Sequence, residues 1–100
     1  MGKDEVINKV RNYKKLLKEH FDLDSVYLFG SHLKGNAKED SDIDVAIIVN
    51  KLQGDYFSTI PVAWKLRSQI DNRIEPMVFE KGRDESGFLE EILNTGIEIE

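Results

Sequence analysis

The chain has no cysteine, only two prolines and two histidines, and no long apolar run. Each absence removes a class of reading. Without cysteine there is no disulfide framework, no thiolate zinc site and no thiol nucleophile, which leaves Asp, Glu, Ser and His as the candidate reactive groups and points to a cytoplasmic compartment. No stretch approaches the ~18 apolar residues of a membrane span, and Met1-Gly2-Lys3-Asp4-Glu5 carries charge where a secretory signal would place its apolar segment. Basic residues are also in deficit: 14 Lys and Arg against 19 Asp and Glu give a formal charge of −5. A broad basic track along a phosphate backbone is therefore not expected, and a processive nucleic-acid enzyme or a dedicated DNA-binding module starts at a disadvantage.

What is present is an ordinary globular composition, 40% hydrophobic over 100 residues, enough for one small core and one domain spanning residues 1–100. Val6, Val10, Tyr13 and Leu17 recur at spacings of four, three and four, so an amphipathic helix is expected from Asp4 to about His20. Asp22 to Ser25 reads as a polar turn. Val26-Tyr27-Leu28-Phe29 reads as a buried strand stopped by Gly30-Ser31. His32 to Asp40 suits one helical turn followed by a loop. Asp42 to Val49 is the best strand in the sequence, and its period of two sets Asp42 and Asp44 on one face with Ile43 and Val45 on the other.

After a connection from Gly54 to Ser58, Thr59-Ile60-Pro61 reads as a helix start, with Ile60, Ala63, Leu66 and Ile70 inward. Arg73 to Phe79 is a strand whose Pro76 suggests an edge or a bulge. Phe88 to Leu93 forms a short helix stopped by Gly96, and Ile97 to Glu100 suits a short final strand. The expected class is α+β, a small mixed sheet of three to four strands flanked by helices.

The chemistry-bearing residues fall at three places: Gly30-Ser31 after the first strand, Asp42 and Asp44 at the head of the second, and Glu75 in the third. A glycine at a strand-ending turn lets backbone N–H groups approach a phosphate, and the Ser31 hydroxyl adds a donor. Two carboxylates on one face of a rigid strand suit Mg²⁺, which takes hard oxygen ligands and is usually shared between protein carboxylates and substrate phosphates. If Glu75 joins them, their mutual repulsion favours cations, in the manner of a two-metal site.

Other patterns fail on single positions. Gly30-x4-Gly35 continues as Asn36-Ala37 where a Walker loop needs Lys and Ser or Thr. Asp40, Asp42 and Asp44 match the first ligands of an EF-hand loop, but Val45 replaces its turn glycine and Lys51 its bidentate Glu. Taken alone, Asp-x-Asp is a solvated strand end, Glu75 is the partner of Arg73 in a surface ion pair, and Lys34 and Lys38 are loop charges. His20 and His32 have no ligand pattern. Tyr13, Trp64 and the phenylalanines read as core or, for Trp64 at the rim of its helix, as an interface anchor.

The stretch from Leu28 to Ala46, with Gly30-Ser31, ten intervening residues and Asp42-x-Asp44, resembles the G-S-x10-D-x-D signature of the DNA polymerase beta-like nucleotidyltransferase superfamily. At this length the chain is similar to a minimal nucleotidyltransferase (MNT), and Arg73-Ile74-Glu75-Pro76 fits the strand carrying the family's third carboxylate. The resemblance implies the polymerase beta-like fold and Mg²⁺-dependent transfer of a nucleoside monophosphate, AMP from ATP, to an acceptor hydroxyl. It implies that Gly30 and Ser31 hold the triphosphate with Lys34 as a further phosphate contact. Asp42, Asp44 and Glu75 would hold two metal ions, with Glu75 also helping to deprotonate the acceptor. Lys34 stands where relatives often carry Arg, and Glu75 where many carry Asp. Small members resemble the antitoxin half of HEPN–MNT pairs, in which a tyrosine of a HEPN ribonuclease receives AMP. The acceptor site would then come from a partner chain or from a second copy of this one. The alternatives are a non-catalytic antitoxin that neutralises a HEPN protein by binding, and a small-molecule nucleotidyltransferase of the antibiotic-modifying kind.

Overall fold

The computed structural model of the chain describes residues 2–30, 41–51, 56–83 and 86–100. Along them run α1 (Lys3–His20), β1 (Leu23–Phe29), β2 (Ile43–Val49), α2 (Tyr56–Arg67), β3 (Ile74–Glu80), α3 (Phe88–Thr95) and β4 (Ile97–Glu98). The strands form one mixed sheet in the order β3-β2-β1-β4. β1 is antiparallel to both β2 and β4, whereas β2 and β3 run parallel. This is the α+β class and mixed sheet that the alternation of helical and two-residue periods predicts.

The period of two divides the sheet into two chemically different faces. Val26, Leu28, Ile43, Val45, Ile47, Ile74 and Val78 lie on one face and join the main core with Val6, Val10, Tyr13 and Leu17 of α1 and Ala63 and Leu66 of α2. Tyr13 carries a polar group into this core and satisfies it, its hydroxyl donating to the Ala63 carbonyl at 2.6 Å. Burial pushes the Tyr13 phenol well above its ordinary value, with the Arg67 charge opposing the rise. On the other face lie Phe29, Asp44, Ala46, Ile48, Glu75, Met77 and Phe79, partly covered by α3. Phe88 of α3 sits edge-on to Phe29 at 6.0 Å between ring centres and tilted against Phe79 at 6.2 Å.

Pro76 is accommodated because β3 is an edge strand. Ile43 N–H donates to the Arg73 carbonyl at 2.8 Å, so the odd-numbered residues of β3 turn their backbone groups toward β2. The missing N–H of Pro76 thus falls on the open edge, where it costs no ladder bond.

Three boundaries differ from expectation by three residues. β1 begins at Leu23 rather than Val26, because Leu23 and Ser25 pair with Val49 and Ile48 across a register irregularity. The segment read as a polar turn is therefore mostly strand, with the irregularity absorbing Asp24. α2 starts at Tyr56, which leaves exposed Pro61 inside the helix instead of in its first turn. α2 also stops at Arg67, so half-buried Ile70 packs on the core from the following turn. The short helix expected between His32 and Asp40 lies outside the described residues. Gly96 ends α3 as expected, donating its N–H to the Ile92 carbonyl at 2.7 Å. No described helix is long and apolar enough to cross a membrane.

Candidate active site

β1 delivers the first part of the site. Directly after Phe29 the chain turns through Gly30 at φ +82°, in the left-handed region that side chains other than glycine rarely adopt. The same residue is pressed against β2: a Cβ there would fall on Oδ2 of Asp44 and stand 3.0 Å from its Cγ. Glycine is therefore required twice, by its backbone and by its neighbour. The turn after strand one does face the head of strand two, as the ten-residue spacing predicts. Ser31, His32, Lys34, Lys38 and Asp40 lie outside the described residues.

β2 and β3 deliver the carboxylates. Asp44 and Glu75 are register partners in the parallel pair, and Phe29 is the partner of Asp44 on the opposite side. Partners in register share a face, so the half-buried carboxyls of Asp44 and Glu75 stand side by side on the face away from α1. Asp42 is exposed, one residue before β2 begins, and reaches Glu75 by a side-chain hydrogen bond. Burial raises the proton affinity of Glu75, the charge of Asp42 and the hydrogen bond to it raise it further, and the charge of Asp44 adds to both. The Arg67 charge pulls the other way.

Such a grouping of carboxyl oxygens suits a hard divalent cation, which takes oxygen ligands. Among the described residues, no group of three or more acidic or imidazole side chains is arranged to hold a metal ion as it stands.

Arg73 does not make the surface ion pair with Glu75 that is the alternative to a site role for that acid. It grips Asp71 instead, with Nε at 3.0 Å from Oδ1 and Nη2 at 2.6 Å from Oδ2, while Lys9 of α1 reaches Oδ2 at 2.7 Å. His20 stays at the end of α1, its Nδ1 3.2 Å from the Leu16 carbonyl. A cavity of about 210 Å³, lined in part by His20, Lys51 and Thr59, lies at the opposite end of β2 from the carboxylates.

Sequence reasoning missed Arg67. As the last residue of α2 it carries no motif, and only the tertiary path of the α2 to β3 connection brings it to the Glu75 strand. Its Nη1 donates to the carbonyls of Asn72 at 2.6 Å and Ile74 at 2.9 Å, and its guanidinium lies 4.3 Å from the centre of the Trp64 ring.

The family described as "Polymerase beta, Nucleotidyltransferase" matches residues 11–100. The chain belongs to this nucleotidyltransferase family. A candidate protein adenylyltransferase of Methanocaldococcus jannaschii is 32% identical to it, the alignment covering 95% of this chain and 99% of that protein. The protein adenylyltransferase MntA of Thermococcus cleftensis is 39% identical over 44 residues, 44% of this chain and 44% of its own length. Among solved structures, a candidate nucleotidyltransferase from Sulfolobus solfataricus superimposes with a TM-score of 0.71 at 16% identity, over 96% of this chain and 80% of that one. A toxin–antitoxin structure with AMP-PNP gives 0.67 at 24% identity, over 93% and 73%. The two superpositions establish a shared nucleotidyltransferase fold. The resemblance to minimal nucleotidyltransferases carried by the Gly30 to Asp44 stretch is borne out, and this nucleotidyltransferase is an enzyme by family.

Proposed function

We propose that this nucleotidyltransferase transfers AMP from Mg²⁺-bound ATP to a tyrosine hydroxyl of a HEPN-family ribonuclease partner, and so acts as an antitoxin in the cytoplasm. The observation that carries the reading is the in-register pairing of Asp44 with Glu75 beneath a Gly30 that has no room for a side chain. The near full-length likeness to a candidate protein adenylyltransferase favours a protein acceptor over a small molecule.

In this reading Gly30 and Ser31 hold the triphosphate through backbone and hydroxyl donors, with Lys34 as a further phosphate contact. Asp42, Asp44 and Glu75 would hold two Mg²⁺ ions, which would supply neutralisation of phosphate charge and stabilisation of the departing pyrophosphate. Glu75 takes the proton of the acceptor hydroxyl. A bond forms between the acceptor oxygen and the α-phosphorus, the bond from that phosphorus to the bridging oxygen breaks, and pyrophosphate leaves. β2 and β3 place Asp44 and Glu75 in register, which limits the reorganisation those two carboxyls need during transfer.

Incubating the protein with Mg²⁺, ATP and its co-expressed partner, then weighing every species by mass spectrometry, tests the proposal. The expected result is one added AMP on a partner tyrosine. A partner that is neutralised as a ribonuclease yet gains no mass would replace transfer with simple binding.

A further inference from the structure

Glu75 sits on the exposed edge of the sheet, and an edge strand is held by neighbouring strands on one side only. On its inner side β3 is tied to β2 by the ladder that begins with Ile43 N–H on the Arg73 carbonyl. On its outer side the backbone groups of Ile74, immediately before Glu75, point away from β2. Both find partners in the α2 to β3 connection: the N–H donates to the Asp71 carbonyl at 3.1 Å, and the carbonyl accepts from Arg67 Nη1 at 2.9 Å. The same nitrogen holds the Asn72 carbonyl at 2.6 Å, so one guanidinium spans the turn and the start of the strand.

The guanidinium is held in turn. Trp64, one helical turn earlier on α2, lays its ring 4.3 Å from Cζ. This explains why a tryptophan that is 38% exposed is present on an outer helix surface. It limits the rotamers of a long side chain whose ordering is otherwise costly. The guanidinium carbon lies over the ring on one side, and a single guanidinium nitrogen donates to both carbonyl acceptors in front.

We infer that Arg67, gripped between the Trp64 ring and the Asn72 and Ile74 carbonyls, is the positioning residue that holds Glu75 in register with Asp44. The inference rests on the proposed metal-dependent nucleotidyl transfer, because it assigns Arg67 to the alignment of one carboxylate of that site. Arg67 touches no substrate in this role. It acts through the backbone of the strand that carries Glu75.

The test uses the full chain with Mn²⁺ and ATP, following Mn²⁺ by its electron paramagnetic resonance signal, together with backbone hydrogen exchange. Asp44→Asn is the reference for a disabled site. Arg67→Met, which keeps length but loses donors and charge, is expected to bind Mn²⁺ in the presence of ATP about tenfold more weakly than the parent, as is usual when a residue supporting a metal ligand is lost. Its faster exchange is expected to be confined to residues 74–78, and Arg67→Lys is expected to fall between Arg67→Met and the parent. Trp64→Leu, which leaves the fork in place without its stack, is expected to show a smaller loss in the same direction and serves if Arg67→Met does not fold. Parent-like Mn²⁺ binding in Arg67→Met would overturn the assignment, as would exchange that rises equally in α1, since that is a general loss of stability. A parent protein that binds Mn²⁺ no better than Asp44→Asn overturns the metal-dependent reading itself, and the positioning role with it.

Discussion

Asp71 and Glu75 are four residues apart, yet the fold gives them opposite surroundings. Asp71 lies between two cations, Arg73 of its own turn and Lys9 of α1. The Arg73 hydrogen bond does most to hold its carboxyl far below the usual range, burial opposes this, and Lys9 lowers it further. Glu75 lies among anions, and burial, Asp42 and Asp44 all raise it. One acid is complete within the protein. The other has only the charge of Arg67 against its rise, and in the proposed reading that difference separates an acid that fastens a helix to a turn from one that takes a cation.

The sharpest way to break the comparison is to neutralise the crowded side. Asp42→Asn or Asp44→Asn is expected to lower AMP transfer on the order of 10³-fold, the scale seen when charge stabilisation of a transition state is removed. The melting temperature is expected to stay level or rise, since each change removes a like-charge contact with Glu75. A mass-spectrometric time course and a thermal melt on the same samples read both quantities. Undiminished labelling would remove these carboxylates from the chemistry.

A second test crowds the site further. Gly30→Ala forces a side chain into left-handed backbone and against the Asp44 carboxylate, with an expected cost of roughly 1 to 3 kcal/mol in denaturant unfolding. Gly82 provides the internal contrast. It has φ +84° but nothing within 4 Å of the point where a Cβ would stand, so Gly82→Ala carries only the backbone part of that cost. Equal losses for the two would mean that the contact between Gly30 and Asp44 adds nothing.

Much of this is legible in the sequence where local periodicity and tertiary packing agree. Val6, Val10, Tyr13 and Leu17 announce α1 and are fully buried in it. Asp42 and Asp44 can be read because a strand period sets them on one face, whereas Glu75 reaches them only through the parallel register of β3 with β2, which the sequence offers as a condition and through the family resemblance. Leu23 to Ser25 cannot, because polar Asp24 and Ser25 enter the strand through pairing with Val49 and Ile48 rather than through propensity. The start of α2 is misplaced for a related reason: Pro61 normally marks a first turn, and here the helix extends a turn ahead of it. Arg73 looks like the companion of Glu75 because adjacent odd positions of a strand share a face. It precedes the strand, where its side chain is free to turn back to Asp71. Arg67 has no local signal at all, since its partners are carbonyls, which every residue has.

The smallest expected effect probes the satisfied side. Asp71→Asn leaves Lys9 and Arg73 without their shared anion and is expected to cost about 1 to 2 kcal/mol at neutral pH, more than an exposed ion pair because the Asp71 side chain is only 10% accessible. The exposed pair of Lys81 with Asp24, at 3.2 Å and with Lys81 63% accessible, sets the lower reference. The pH dependence follows from the sign of the shift. A carboxyl whose folded value is depressed binds its proton more readily in the unfolded chain, so its stabilisation is fully present above the ordinary carboxylate value and is lost as pH falls toward the folded one. The stability gap between the parent and Asp71→Asn is therefore expected to be constant at neutral pH and to close on acidification below about pH 4. Thermal melts of both proteins across that range measure the gap directly. A gap that persists unchanged to low pH would mean that Asp71 contributes through shape and hydrogen bonding that Asn shares poorly, and not through its charge.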